Sequence, residues 1–112
     1  MMGNEYTTAE PSPAEVAGMH GPLVIEFGDK YCVICSAARP AIEKAMNTRP
    51  DVKLLKIADG RGRPLGRSFG VKLWPTLVFL QDGQEVTRLV RPMDDQPIAM
   101  ALDSLAPLLR TT

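Results

Sequence analysis

The sequence predicts an α/β domain in which a central mixed β-sheet carries helices on both faces. A strand–helix–strand order in the first half of the chain predicts parallel pairing with a right-handed crossover. The pair Asp82-Gly83 lies between two apolar runs and predicts an antiparallel hairpin. At 112 residues the chain has the length of one domain, so a single sheet with helices on both faces is expected.

The amino-terminal residues predict a short helix after a loose start. Residues 1–11 are expected to be a mobile segment, with a weak edge strand over residues 5–8 as the alternative, and residues 12–112 are expected to form the domain. The run Ser12-Pro13-Ala14-Glu15 has the form of a capping box, with proline at the first helical position. A helix to about Met19 follows from it.

The next elements alternate between strand and helix. Residues 23–27 are a short β-branched apolar run and predict a buried strand. Apolar residues at helical spacing then predict a helix to about Asn47, with Pro40 inside it. Residues 52–58 read as a second buried strand, and residues 64–69 as a short helix.

The last third of the chain predicts a hairpin and a closing helix. Residues 77–80 form an apolar strand and residues 85–90 its antiparallel return. Asp94 or Asp95 can cap the last helix, which Pro107 ends or bends. The apolar residues on one face of this helix are Ile98, Leu102, Leu105 and Leu109.

Composition argues against several classes of function. Thirteen basic and thirteen acidic residues cancel, so no surplus charge favours binding to nucleic acid or to anionic lipid. No apolar run reaches the ~20 residues of a membrane helix. The first twenty residues lack the features of a secretory signal, and two cysteines are too few for a disulfide scaffold. We therefore expect a cytoplasmic protein.

The two cysteines are the centre of the functional prediction. Cys32 and Cys35 are the only cysteines, and they lie where the first strand gives way to a helix. The first thiol is then placed beside the unpaired N–H groups of the helix start, where the backbone dipole favours negative charge. Such a position favours a nucleophilic thiolate at neutral pH.

A C-x-x-C motif taken alone allows three interpretations. Structural zinc needs four protein ligands, and the chain offers only its two cysteines and His20, which is expected in a solvated turn. Inert buried thiols are the second interpretation. A dithiol/disulfide redox pair is the third, and the strand–helix–strand context favours it.

From about residue 12 to residue 106 the chain resembles the thioredoxin family. The resemblance is carried by the strand I-E-F, the core Y-C-V-I-C, Pro40, the later W-P-T segment and the D-G hairpin. It implies a thioredoxin fold and thiol–disulfide exchange. In this chemistry Cys32 attacks a disulfide of the partner, and Cys35 resolves the mixed disulfide.

The resemblance also implies a docking surface for an extended polypeptide. Pro75 is expected to have a cis peptide bond, which lets the backbone of Trp74 pair with the partner like an added strand. Tyr31 and Trp74 would form an apolar rim, although Tyr31 could equally pack into the core. The predicted substrate-contacting residues are Tyr31, Val33, Ile34, Trp74, Pro75 and Thr76.

Glu26 interrupts the first apolar strand, at a position where thioredoxins carry a buried acid. Burial raises the pKa of a carboxyl group, which suits it to proton transfer. We expect Glu26 to take the proton of Cys35 when Cys35 attacks. The alternative is a glutamate at the strand end that reaches solvent or pairs with Lys53 or Lys56.

The chain also departs from the family pattern. Thioredoxins usually have Gly-Pro between the cysteines, where this chain has Val33-Ile34, and tryptophan where it has Gly28. Pro92 replaces an expected glycine of the docking surface. A thioredoxin-fold adaptor module with little redox turnover is therefore the alternative function. The favoured prediction is a monomeric protein-disulfide reductase without metal or cofactor, which acts on disulfide-bearing proteins and is reduced by a donor such as a thioredoxin reductase.

Overall fold

A four-stranded mixed sheet forms the centre of the computed structural model, which describes residues 5–108. The strands lie in the order β2-β1-β3-β4. β1 pairs with β2 in parallel and with β3 antiparallel, and β3 pairs with β4 antiparallel. The strand bounds are β1 Pro22–Gly28, β2 Lys53–Ala58, β3 Thr76–Gln81 and β4 Gln84–Val90. The mixed sheet and the hairpin predicted from the sequence are thus confirmed.

Helices cover both faces of this sheet, as predicted. They are α1 Pro13–Ala17, α2 Val33–Met46, α3 Pro64–Ser68 and α4 Asp95–Asp103. α2 and α4 share one apolar cluster with the sheet, and α1 and α3 contribute to the other. All residues of β1 are buried, as expected for a strand with helices above and below it.

The first helix begins with the predicted capping box. The backbone N–H of Glu15 donates to the Ser12 hydroxyl at 3.0 Å, and the Glu15 carboxylate accepts from the Ser12 N–H at 2.7 Å. Pro13 occupies the first helical position, where no intrahelical donor is needed. The helix ends at Ala17, two residues before the predicted end at Met19.

The last helix is shorter than the sequence indicates. It ends at Asp103, with Ser104 as its C-cap, so the predicted continuation to Pro107 is wrong. The reason lies in Arg49, whose guanidinium donates to the carbonyl oxygens of Leu102 and Leu105, at 2.7 and 3.3 Å. These bonds satisfy backbone acceptors at the helix end, which then needs no further turn. Leu105 is buried beyond the helix, and Leu109 lies outside the described residues.

Residues 5–11, predicted to be mobile, contact the sheet and α3. Thr7 forms a single parallel bridge with Ile57 of β2, in which its N–H and its C=O are both bonded, at 2.8 and 2.9 Å. The Glu10 carboxylate accepts from the N–H of Leu65 at 2.9 Å. A single bridge is shorter than the edge strand over residues 5–8 that was the alternative prediction. It nevertheless makes the segment run parallel to β2 at this point. The domain boundary at residue 12 stays a prediction.

Among residues 5–108, the helices lack the length and apolar character that crossing a membrane requires.

Candidate active site

The two cysteines lie at the junction between β1 and α2. Cys32 is the N-cap of α2 and has an extended backbone, while Cys35 sits in the first turn. The backbone N–H of Cys35 donates to the sulfur of Cys32 at 3.1 Å. An N–H that points at sulfur stabilises the thiolate more than the neutral thiol. The predicted placement of Cys32 at the helix start is confirmed.

Asp29 shapes the turn that presents the cysteines. Its backbone carbonyl accepts from the N–H of Cys32 at 3.1 Å, and its carboxylate accepts from the N–H of Tyr31 at 2.9 Å. An aspartate that bonds the backbone two residues ahead is a common way to fix such a turn. The position of Cys32 is therefore set by local hydrogen bonds.

The two sulfurs differ in environment. Cys32 is partly exposed, whereas Cys35 is only 3% exposed, and both are free thiols in the structure. Burial raises the pKa of Cys35 to about 11, so this thiol keeps its proton at neutral pH. The outer sulfur can meet a partner directly, and the inner one needs a base before it can attack.

Glu26 lies in β1, between β2 and β3 of the sheet. It is 2% exposed, so the alternative of a glutamate that reaches solvent is wrong. Burial raises its pKa, and the nearby carboxylate of Glu43 adds to the increase, while Tyr6, Lys56 and Arg39 act against it. Lys56 is its cross-strand partner on β2, whereas Lys53 lies opposite Leu23. The site therefore contains a buried carboxyl group that holds its proton more tightly than an ordinary glutamate.

Tyr6 is a site residue that the sequence did not reveal. Its hydroxyl donates to Oε2 of Glu26. A Cβ built onto Gly28 would lie 2.8 Å from this hydroxyl oxygen and 2.9 Å from Sγ of Cys35. Gly28 thus leaves open a space that both the tyrosine hydroxyl and the sulfur of the buried cysteine border. Two features of the sequence could have indicated this contact. They are a glycine in a buried strand at the position where the family has tryptophan, and the aromatic residue Tyr6 before the first helix.

The residues on either side of Cys32 in the chain carry exposed apolar side chains. Tyr31 is 81% exposed and Val33 is 80% exposed, while Ile34 is half-buried. The alternative that Tyr31 packs into the core is wrong. Its ring instead lies beside the ammonium group of Lys30, with the nitrogen 5.2 Å from the ring centroid.

The segment before β3 has the predicted cis peptide bond, between Trp74 and Pro75. Thr76 is buried and its hydroxyl donates to the carbonyl of Leu73 at 2.6 Å, so its side chain braces the turn. The carbonyl of Trp74 accepts from Nε of Arg91 at 2.8 Å. A backbone group expected to face a substrate is therefore already bonded to a side chain of this protein.

Asp59 holds the indole of Trp74. Its buried carboxylate accepts from Nε1 of Trp74 at 2.9 Å and forms an ion pair with Arg67 at 2.8 Å. Trp74 is half-buried as a result, with one edge in the second core cluster. No sequence pattern indicates this contact, because Asp59 lies in a glycine-rich loop 15 positions before Trp74.

Within residues 5–108, no group of three or more His, Cys, Asp or Glu side chains could hold a metal ion.

A partly exposed thiol at a helix start, with a buried thiol three residues later, is the arrangement of a thiol–disulfide oxidoreductase. Comparison with known proteins agrees with this class. The family model described as Thioredoxin matches residues 5–104. The chain belongs to the thioredoxin family and is a protein-disulfide reductase.

Three relatives illustrate the likeness. The structure of thioredoxin 2 from Pseudomonas aeruginosa PAO1 in its reduced form is 45% identical, covers 92% of this chain and 95% of that one, and superposes with a TM-score of 0.82. The thioredoxin of Chlamydia muridarum is 35% identical over 71 residues, which are 62% of this chain and 69% of the relative. A bifunctional thioredoxin reductase/thioredoxin of Mycobacterium leprae is 26% identical over 97 residues, which are 86% of this chain and 21% of the relative. These relatives favour the oxidoreductase over the adaptor module.

Proposed function

We propose that Cys32 is the attacking thiol and Cys35 the resolving thiol in the reduction of disulfides of protein substrates. The observation that carries this assignment is the difference in exposure between the two sulfurs, together with the N–H of Cys35 that points at the sulfur of Cys32. Only the outer sulfur can meet a partner disulfide. The inner one then attacks the outer one.

The reaction has two exchanges. The Cys32 thiolate attacks one sulfur of the partner disulfide, and the other partner sulfur leaves with the electron pair. Cys35 then loses its proton and attacks the sulfur of Cys32, so that the second partner sulfur leaves. The partner gains two electrons, and the protein keeps a Cys32–Cys35 disulfide.

Glu26 is proposed as the group that accepts the proton of Cys35. The pKa of Cys35 is too high for spontaneous ionisation at neutral pH, so a base inside the site is needed. Glu26 is buried on the side of the sheet where α2 lies, since Arg39 and Glu43 of that helix act on it. Its pKa is raised and is therefore closer to neutral pH than that of an ordinary carboxyl group.

The proposed docking surface surrounds Cys32. Tyr31 and Val33 present exposed apolar area on one side, with Ile34 behind them, and Trp74 forms the other side. Aromatic residues held in place supply contact area at low entropic cost, and the bond from Asp59 holds Trp74 in this way. Pro75 and Thr76 contribute through their backbone, since both side chains are buried.

The remaining partners follow from the family. We propose a thioredoxin reductase as electron donor, the activity that accompanies thioredoxin in the name of the Mycobacterium leprae relative. The proposed compartment is the cytoplasm, where a reducing environment keeps such a dithiol reduced. The proposed working state is a monomer, since one chain carries both thiols.

The test is dithiothreitol-driven reduction of insulin with three single variants. Wild type is expected to accelerate precipitation of the insulin chains, Cys32→Ser to lose the acceleration, and Cys35→Ser to accumulate a mixed disulfide with insulin through Cys32. Ser36→Ala, an exposed position on the same helix, is the matched control and keeps the wild-type rate. A wild type without acceleration would support the adaptor module, and trapping through Cys35 would reverse the assignment of the thiols.

A further inference from the structure

Tyr6 is bonded to Glu26 and borders the same space beside Gly28 as the sulfur of Cys35. Its hydroxyl donates to Oε2 of Glu26. The point at which a Cβ of Gly28 would stand is 2.8 Å from the hydroxyl oxygen and 2.9 Å from Sγ of Cys35. The oxygen and the sulfur therefore border the same small space.

Several contacts hold Tyr6 in this position. The next residue, Thr7, is bonded to β2 through its N–H and its C=O. The ammonium group of Lys56 lies over the tyrosine ring, with its nitrogen 4.7 Å from the ring centroid. The tyrosine is thus fixed by the strand that borders β1, although it belongs to a segment that precedes the first helix.

We propose that the hydroxyl of Tyr6 carries the proton of Cys35 to Glu26 during resolution of the mixed disulfide. This inference rests on the proposed function and deepens its second step. A hydroxyl group can donate one hydrogen bond while it accepts another, so it can pass a proton without a lasting charge. Glu26 and Cys35 are thereby connected through one side chain.

The transfer moves two protons and forms one disulfide bond. The proton of Cys35 moves to the oxygen of Tyr6, while the hydroxyl proton of Tyr6 moves to Oε2 of Glu26. The electron pair left on Cys35 forms the bond to the sulfur of Cys32, and the bond between Cys32 and the partner sulfur breaks. The partner leaves as a thiolate and takes a proton from water, and Tyr6 is unchanged.

The environment keeps Tyr6 in its neutral form. Burial raises its pKa, and the nearby carboxylate of Glu26 raises it further, so the phenol does not ionise in the working range of pH. The ionisable groups that face this space are Tyr6 itself, Cys35, Glu26, Lys56 of β2, and Arg39 and Glu43 of α2. The Tyr6 hydroxyl is bonded to the carboxylate of Glu26, which therefore receives the proton.

The test is a single-turnover reaction of the reduced protein with dithiobis(nitrobenzoate), which releases one coloured thiolate when Cys32 attacks and a second when Cys35 resolves. Tyr6→Phe keeps the ring and removes the hydroxyl. We expect the first release to stay within about twofold of wild type and the second to slow at least about tenfold near neutral pH. The slowing should fade as the pH approaches 11, where Cys35 ionises without a base.

Two further variants test whether Tyr6 and Glu26 act in the same transfer. Glu26→Gln should slow the second release as Tyr6→Phe does, and the double variant should be no slower than either single one, because both act on one transfer. Thr8→Ala, an exposed position in the same segment, is the control and should match wild type. An unchanged second release in Tyr6→Phe, or effects of the two variants that multiply, would overturn the relay. If wild type released no first coloured thiolate, the attack by Cys32 would be refuted instead.

Discussion

Substitution of Gly28 by alanine tests whether the tyrosine and the buried cysteine share the space described. The new Cβ would lie 2.8 Å from Cζ and from the hydroxyl oxygen of Tyr6, and 2.9 Å from Sγ of Cys35. Carbon atoms in well-packed interiors stay ~3.5–4.0 Å apart. Gly28→Ala therefore forces the ring or the helix to move.

The expected cost is the balance of two effects. Overpacking of a core costs about 1–3 kcal/mol, and the lower entropy of the unfolded alanine chain offsets about 0.4–1 kcal/mol. The net destabilisation is about 1–2 kcal/mol. For a domain of this size, it corresponds to a decrease in Tm of about 4–12 °C.

The assay is thermal unfolding of the reduced protein followed by circular dichroism. The matched control is Gly18→Ala, where the nearest atoms to the new Cβ are carbonyl oxygens at 3.7 Å, so the Tm should stay unchanged or rise. In a Tyr6→Ala background, Gly28→Ala should cost less, with a coupling energy of about 0.5–2 kcal/mol. Equal Tm values for Gly28→Ala and Gly18→Ala would refute the packing described. The same destabilisation by Gly28→Ala in the wild-type and Tyr6→Ala backgrounds would also refute it.

Three further predictions concern the docking surface and the pH dependence of stability. Arg91→Ala frees the carbonyl of Trp74 for a substrate and should lower the KM for insulin by about fivefold, since a bond of about 1 kcal/mol no longer competes; an unchanged or higher KM would speak against competition. Because the folded pKa of Glu26 is raised, the folded state binds the extra proton, so its stability falls as the pH rises above the ordinary value of 4.5, with a slope of at most about 1.4 kcal/mol per pH unit. Glu26→Gln should therefore gain stability relative to wild type between pH 4 and pH 8 in urea titrations, and a constant difference would contradict the raised pKa. Arg49 holds the pKa of Asp51 at about 2, so the stability that this pair supplies is present above the ordinary value of 3.8 and is lost as the pH falls towards 2; the deficit of Arg49→Gln in urea midpoint should therefore shrink over that range.

The order of elements was predictable because its signals are local. The apolar run of β1, the capping box at Ser12 and the hairpin pair at Asp82 each depend on residues a few positions apart. The same holds for Cys32 and Cys35, whose place at a helix start follows from the strand before them and the apolar stripe after them. Local patterns are therefore enough to predict most strands of the sheet and the position of the two cysteines.

The contacts that complete the site join distant parts of the chain. Tyr6 bonds to Glu26, twenty positions later in the chain. In the sequence, this contact was indicated mainly by the absence of a side chain at Gly28. Asp59 meets the indole of Trp74 across a loop and a helix. No periodicity or spacing reports such pairs, because they depend on how the elements pack together.

The end of α4 was mispredicted for the same reason. The apolar spacing from Ile98 to Leu105 continues a helical pattern, and it predicts a helix that goes on past Asp103. The structure ends the helix at Asp103 because Arg49, more than fifty residues earlier, bonds the carbonyls at this end. Burial of Leu105 is preserved, although the residue is no longer helical.

Equilibration of the protein in buffers of defined thiol–disulfide ratio measures the dithiol directly. After acid quenching and alkylation, mass spectrometry counts the free thiols on each molecule. The two thiols should disappear together. The ratio of reduced to oxidised protein should change tenfold for every ~30 mV of buffer potential, as expected for a two-electron couple that closes a Cys32–Cys35 disulfide. Loss of one thiol at a time, disulfides only between chains, or two thiols that stay reduced at every ratio would contradict a thiol–disulfide cycle at this site.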